Sequence, residues 1–164
     1  MKRGMTVQLA CWGFVALIAL ACASVRPPEV HDVVSERSYS ASFDAVWTAV
    51  IDVAARQNAR IETLEKASGL MVLTPTALGN DAVDCGSSAL IGTATGPYNA
   101  RMNLVVRQTG SSTSVRVNLA IDAKWVGEKS VWYSADLKQD RPCTSRGTLE
   151  RAWLDAIGAA LAGQ

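Results

Sequence analysis

The sequence predicts an α+β domain, a two-layer sandwich in which an antiparallel sheet of about five strands packs against two helices in the order β-α-β-β-β-β-α. Two observations predict this fold. Apolar and polar residues alternate through residues 101–107 and 115–124, which indicates strands with one buried and one solvent-exposed face. Apolar residues recur at helical spacing in residues 43–56 and again near the C-terminus, which indicates two amphipathic helices.

The first strand is expected at residues 35–40, and the first helix follows it directly. Ser42 is a suitable N-cap for a helix that begins at Phe43, with Asp44 in the favourable first turn. Gln57 and Asn58 end this helix. Its apolar face is formed by Phe43, Val46, Trp47, Val50 and Ala54.

Two hairpins account for the next four strands. Strands at residues 60–65 and 70–74 flank the turn Lys66-Ala67-Ser68-Gly69, with Ile61 and Thr63 expected on one side of the first strand. The two alternating segments form the second hairpin through Thr109-Gly110-Ser111-Ser112. In the less regular segment that follows, Val131-Trp132-Tyr133 is a candidate for a further strand.

A final helix is predicted from a cap at Thr144 or Ser145 to about Leu161. Its expected apolar face consists of Leu149, Ala152, Trp153, Ala156, Ile157 and Ala160. Its expected solvent-exposed face consists of Glu150, Arg151 and Asp155. The two apolar helix faces and the apolar sheet face together define one core.

Residues 1–21 have the layout of a secretory signal peptide. Met1-Lys2-Arg3 is cationic, and a charge-free run with an apolar centre at residues 9–21 follows. A spanning helix needs about 20 predominantly apolar residues, so this run is short for one, and an uncleaved anchor is the alternative. The run ends in Leu20-Ala21-Cys22, which resembles a bacterial lipobox.

The lipobox resemblance implies that Cys22 becomes the first mature residue and carries a diacylglycerol and an N-linked acyl chain such as palmitate. Two or more acyl chains make membrane anchoring stable. Ala23 follows the cysteine where an inner-membrane retention signal would usually have Asp, so we expect a lipid anchor in the outer membrane with the domain facing the periplasm. The alternative is cleavage at an Ala-x-Ala pattern, which would release a soluble secreted protein.

The mature chain divides into a lipidated tether at residues 22–34 and a single α+β domain at residues 35–164. Pro27-Pro28 favours extended geometry in the tether. His31, the only histidine in the chain, lies within it and is expected to be solvated.

Cys85 and Cys143 are the cysteines that remain in the mature domain. An exported chain enters an oxidising compartment, which favours a disulfide between them. A reactive thiol and a metal site are the alternatives, but a metal site would need further histidines or thiolates at suitable spacing. The disulfide would connect the long glycine-rich segment at residues 76–97 to the start of the last helix.

Composition and motifs weigh against several functional classes. The chain has 16 Lys and Arg residues against 15 Asp and Glu, a balance that does not suit a nucleic-acid binder. A serine hydrolase would need a histidine beside a serine, and the only histidine lies in the tether, so we predict no catalytic residue. We also predict no metal and no cofactor. Trp125, Trp132 and Tyr133 are candidates for an interaction surface, with packing in the core or on the sheet as the alternative.

The stretch SFDAVWTAVIDVAARQNARIETLEKASGLMVLT resembles the opening of small envelope lipoproteins. In them, a helix that begins with an aromatic-Asp-x-x-Trp pattern leads to a hairpin whose turn ends in Ser-Gly-Leu. The domains of the lipoprotein subunit of the outer-membrane β-barrel assembly machinery (BamC-like) have a similar opening. A weaker match lies at CTSRGTLERAWLDAI.

This resemblance implies a non-catalytic envelope lipoprotein that presents a small α+β domain to an envelope protein partner or takes part in envelope assembly. The alternative is a periplasmic carrier that holds an apolar ligand between the sheet and the C-terminal helix. A packed core of Trp47, Trp153 and Leu119 would favour the first hypothesis.

Overall fold

The computed structural model describes residues 25–76, 78–88, 92–93, 98–124 and 140–163. These residues form two α-helices, a short 3₁₀ turn at Asn80–Ala82 and ten strands. The helices are α1 (Phe43–Arg56) and α2 (Thr148–Ala162). The strands are β1 (Val25–Arg26), β2 (Glu36–Tyr39), β3 (Arg60–Glu65), β4 (Leu70–Thr74), β5 (Val83–Asp84), β6 (Ser87–Ser88), β7 (Gly92–Thr93), β8 (Tyr98–Thr109), β9 (Ser112–Lys124) and β10 (Asp140–Ser145).

Among the described residues, the main sheet is antiparallel and has seven strands, in the order β3-β4-β8-β9-β10-β5 with β2 beside β9. Strand β9 is long enough to pair with both β2 and β10: β2 faces residues 113–116 and β10 faces residues 121–124. The strands β1, β6 and β7 form a separate small sheet. The predicted α+β arrangement of one antiparallel sheet and two helices is therefore confirmed, and short strands bring the sheet to seven.

Both helices contact the sheet at its central strands, α1 at β8 and β9 and α2 at β9, and they contact each other. The core between the layers consists of large side chains that are fully buried, each worth about 1.5–3 kcal/mol relative to exposure. Those from the sheet are Met71, Leu73, Met102, Leu104, Val106, Val115 and Val117, and those from the helices are Val46, Val50, Val53, Leu154 and Ile157. Trp47 and Trp153 belong to the same buried cluster.

The local patterns predict several elements closely. Helix α1 begins at Phe43, and the Ala45 N–H donates to the Ser42 hydroxyl oxygen at 3.3 Å, as the capping pattern indicates. Strands β3 and β4 have the predicted bounds. In β8 and β9 the apolar side chains face the helices, and both strands extend toward the Cys85 region, where a second buried cluster includes Ala100, Ile121 and Ala123.

The start of the last helix differs from the prediction. Residues 140–145 form strand β10, and α2 begins at Thr148 after Gly147, whose φ of +80° is in the left-handed region. Thr144 and Ser145 are therefore strand residues and not N-caps. The pairing of Cys143 with Ile121 shows the reason, because β10 extends the sheet along β9 before the chain turns into α2.

The buried face of α2 is also rotated from the predicted one. Glu150, expected in solvent, is only 3% exposed, and its carboxylate accepts a hydrogen bond from the Ser145 hydroxyl at 2.8 Å. Leu154 is fully buried, whereas Ala152 is exposed. The Ser145 contact satisfies the buried carboxylate, which allows this face to turn toward the sheet.

Candidate anchoring and interaction sites

The N-terminal segment, residues 25–35, lies against the domain at several points. Strand β1 pairs with β6 through Val25–Ser88 and Arg26–Ser87. The Thr144 hydroxyl donates to the carbonyl oxygen of Glu29 at 2.6 Å, and the Val117 N–H donates to that of Ser35 at 2.7 Å. The described part of the expected tether is therefore held on the domain by backbone and side-chain hydrogen bonds.

The Asp84 side chain is the main polar contact between this segment and the domain. Its Oδ1 accepts the Gly86 N–H at 2.8 Å, and its Oδ2 accepts the Glu29 N–H at 3.4 Å. His31 Nε2 lies 3.3 Å and an Arg146 guanidinium nitrogen 3.7 Å from the same Oδ2. We call these five residues, Glu29, His31, Asp84, Gly86 and Arg146, the Asp84 junction.

Electrostatics keeps the Asp84 carboxylate charged although its side chain is only 13% exposed. The hydrogen bond from the Gly86 N–H is the largest cause that lowers the pKa of this carboxyl below its ordinary value. The Glu29 N–H, His31 and Arg146 lower the pKa further, while burial opposes them. The junction therefore stabilises the ionised form of Asp84.

The prediction that His31 is solvated is wrong. Its side chain is 25% exposed and faces Asp84. A histidine between prolines and valines carries no local signal for this contact, because its partner lies 53 residues further along the chain. Only the packing of the N-terminal segment against β5 brings the two side chains together.

A disulfide joins Cys85 and Cys143 next to the Asp84 junction, with their Cα atoms 4.3 Å apart. The pairing agrees with the one expected from export chemistry. It connects the end of β5 to β10, and Cys85 packs in the second buried cluster with Val83 and Ile121. The disulfide and the junction therefore stabilise one corner of the domain.

The remaining site residues expected from the sequence fall outside the residues that the structure describes. These are the acylation candidate Cys22 and the surface candidates Trp125, Trp132 and Tyr133. The signal peptide also lies outside them.

In the described ranges, neither helix is long and apolar enough to cross a bilayer. The same ranges contain no group of three or more His, Cys, Asp or Glu side chains arranged to hold a metal ion.

Strand β3 is an edge strand of the main sheet within the described part of the chain, and it carries exposed apolar side chains. Ile61 is 39% and Leu64 is 49% exposed. A β-bulge lies between Ile61 and Thr63. Ile61 faces Leu73 across the pair and Leu64 faces Met71, so both project on the helix side of the sheet.

The bulge also corrects the expectation that Ile61 and Thr63 share a side. Thr63 pairs with Val72, which points to the opposite face from its neighbours Met71 and Leu73.

The face of the sheet opposite the helices is polar and carries exposed ion pairs. Arg101 lies 3.1 Å from Glu62, and Arg116 lies 2.7 Å from Glu36. Such exposed pairs contribute little to stability.

A cleft of about 310 Å³ lies between the C-terminal ends of the two helices. It is lined by Val53, Arg56, Gln57, Ala156, Ala159 and Ala160. Its position differs from that of the apolar cavity that a carrier would need, because the lining comes from the helices and not from the sheet.

Comparison with protein-family models and with curated proteins finds no match to this chain. The structure defines the class of the domain as a two-layer α+β sandwich stabilised by a disulfide.

Proposed function

We propose that the protein is a non-catalytic envelope lipoprotein, held at the outer membrane by lipid on Cys22, that presents its α+β domain in the periplasm for protein interaction or envelope assembly. The observation that carries this proposal is the asymmetry of the sheet. The N-terminal segment occupies the end of the sheet that contains β5 and β10, while β3 at the other end has no neighbour on its outer side among the described residues.

The position of the N-terminal segment suits a short lipid anchor. Cys22 is three residues before Val25, where pairing with β6 begins. An extended chain spans at most about 3.3–3.6 Å per residue, so an acylated Cys22 would lie within roughly 11 Å of β1. The Asp84 junction would then hold the domain close to the bilayer and leave the β3 edge at the far end of the sheet.

The contacts of the histidine and of the two cysteines in the domain support a non-catalytic role. The single histidine contacts Asp84, and Cys85 and Cys143 are joined to each other. Histidine and thiolate are common sources of general-base and nucleophilic chemistry, and here these side chains stabilise the corner of the domain instead.

The packing of the core favours interaction over ligand transport. Trp47 and Trp153 are buried in one cluster, and Leu119 packs against it. A carrier would need apolar space between the sheet and α2, whereas these side chains belong to one packed core. The carrier hypothesis predicts a co-purifying apolar ligand, so native mass spectrometry of protein extracted from envelopes tests it.

The experiment that tests the interaction role is chemical crosslinking in intact envelopes, followed by affinity purification and mass spectrometry. We expect the wild-type chain to capture a defined protein partner, and a chain that crosslinks to none would contradict the proposal. The double substitution Trp132→Ala and Tyr133→Ala tests the expected surface, with Arg151→Ala on the exposed face of α2 as the matched control.

The thermal stability of the double variant decides how its result is interpreted. If its melting temperature is preserved and crosslinking is lost, Trp132 and Tyr133 belong to the interaction surface. If the protein unfolds at a much lower temperature, these side chains are part of the core, and the surface assignment is wrong.

A further inference from the structure

Strand β3 contains two of the four large apolar side chains that are most exposed in the described residues, Ile61 and Leu64. Both lie on the helix side of the sheet, on the strand at its edge within the described residues. Edge strands present unpaired backbone N–H and C=O groups that can hydrogen-bond to another strand. The β3 edge therefore offers a strand of six residues with two exposed apolar side chains on its helix side.

The sequence of β3, Arg-Ile-Glu-Thr-Leu-Glu, is complementary to itself when it is read antiparallel. Arg60 of one strand then faces Glu65 of the other, and Ile61 faces Leu64. Glu62 faces Thr63 at the centre. By two-fold symmetry each pair occurs twice, so the register places opposite charges at both ends and apolar pairs between them.

The bulge makes the faces of this register agree. Ile61 and Leu64 are three residues apart and would project on opposite faces of a regular strand, yet the shift at the bulge puts both on the helix side. Arg60 pairs with Thr74 and Glu65 with Leu70, so both project on the polar face. Every facing pair in the two-fold arrangement therefore has its two members on the same side of the sheet.

The charges of β3 separate into satisfied and available groups. Glu62 already contacts Arg101 at 3.1 Å and accepts the Thr74 hydroxyl at 2.7 Å, so two such carboxylates near a two-fold axis would each be neutralised within their own copy. Arg60 and Glu65 form no ion pair with any residue of the described ranges. The end charges are thus the ones free to pair across the axis.

We propose that β3 binds β3 of a second copy of this chain in that antiparallel register, so that the two main sheets become one continuous sheet across a two-fold axis. This inference rests on the proposed interaction role and names one partner for it. Bulges and charges on edge strands ordinarily discourage pairing with other chains. Here the same features select a single register and a single strand sequence.

Charge exchange tests the end pairs. Two copies of the full-length chain with different affinity tags are co-expressed and purified in detergent through one tag. The amount of the other tagged copy that co-purifies, the mixed-tag recovery, is then measured. We expect Arg60→Glu or Glu65→Arg alone to lower this recovery by about tenfold, because each places like charges opposite each other twice. The double variant R60E/E65R restores opposite charges and should restore recovery. Arg151→Glu, an exposed change away from β3, is the control and should have no effect.

Disulfide trapping tests the register itself. One tagged copy carries Ile61→Cys and the other carries Leu64→Cys, while Cys85 and Cys143 remain joined to each other. We expect an intermolecular disulfide between the two different copies and far less of it when either variant is expressed alone, because neither residue faces itself in this register.

A wild-type chain that sediments as a monomer at the highest soluble concentration would overturn the inference. So would a dimer whose recovery is insensitive to R60E and E65R. If the purified chain is monomeric but crosslinking in envelopes captures a different protein, the second-copy inference fails while the proposed interaction role stands. If the chain dimerises through β3 but captures no other protein, the second-copy inference stands, and the expectation of a different envelope protein as partner fails.

Discussion

His31 Nε2 lies 3.3 Å from Oδ2 of Asp84, although 53 residues separate the two in the chain. The same carboxylate accepts the backbone N–H groups of Gly86 and Glu29. One side chain on β5 therefore contacts both the N-terminal segment and the loop that leads to β6. Since Cys85 is the next residue, the contact and the disulfide stabilise the same corner.

Replacing Asp84 with Asn should destabilise the domain at neutral pH by about 1–3 kcal/mol, because the charged acceptor of several hydrogen bonds is lost. The folded domain holds the pKa of Asp84 below its ordinary value. The stability that this contributes is present above the ordinary Asp range and is lost as the pH falls through the lowered pKa. Urea unfolding at a series of pH values measures both effects.

The control for this substitution is Asp52→Asn on the exposed face of α1, which should change stability by less than about 0.5 kcal/mol. In acid, the stability of wild type should fall toward that of Asp84→Asn. A variant that matches wild type in both neutral stability and acid dependence would contradict the structural role assigned to the Asp84 junction.

Removing the disulfide with Cys85→Ser and Cys143→Ser should lower the free energy of unfolding by roughly 4 kcal/mol, the chain-entropy value for a sequence separation of 58 residues. Urea unfolding of the oxidised wild type and the double variant measures the change, and wild type treated with a reductant should resemble the variant. Non-reducing peptide mapping should recover the linked peptides. Free thiols at both positions in periplasm-expressed protein would refute the pairing.

Two glycines with similar backbone angles provide a matched test of the hairpin packing. Gly69 has φ +67° and Gly110 has φ +62°. A Cβ atom at Gly69 would lie 2.1 Å from the Val106 carbonyl oxygen, whereas at Gly110 no described atom beyond the two adjacent residues lies within 4 Å. Alanine at Gly110 should cost about 1–2 kcal/mol for the left-handed conformation alone. Alanine at Gly69 should cost clearly more, about 3 kcal/mol or above, because the backbone must also move.

Thermal and urea unfolding of the Gly69→Ala and Gly110→Ala variants give the comparison. The Val106 N–H also donates to the Gly69 carbonyl at 2.8 Å, so displacement of this turn should disturb the edge of β8. Equal losses in the two variants would show that the close approach of the turn to β8 is not formed.

Replacing Cys22 with Ser should abolish incorporation of labelled palmitate and move the protein from the membrane to the soluble fraction. The physical reason is that the domain's near-neutral charge offers little attraction to anionic lipid, so the acyl chains would supply the membrane affinity. Metabolic labelling and fractionation measure the two effects. Unchanged labelling in the Cys22→Ser variant would contradict the acylation site.

Local periodicity accounts for the elements that could be predicted from the sequence. Helix α1, the β3–β4 hairpin and the alternation in β8 and β9 each depend on neighbouring residues, so short patterns define them. Strand β10 was missed because Pro142 and the absence of alternation argue against a strand there. The strand exists because residues 121–124 of β9, beyond the part of β9 that pairs with β2, offer it backbone partners.

Residue type and spacing were enough to predict the fold class, the apolar faces of α1 and of the central hairpin, and the candidate cysteine pair. Three features became visible in the folded domain alone: His31 contacts Asp84, Glu150 is buried beside Ser145, and Ile61 and Leu64 share one face of an edge strand. The physical reason is that these three features depend on contacts between separate segments or on a bulge that shifts the strand's phase. Neither leaves a periodic trace in the chain.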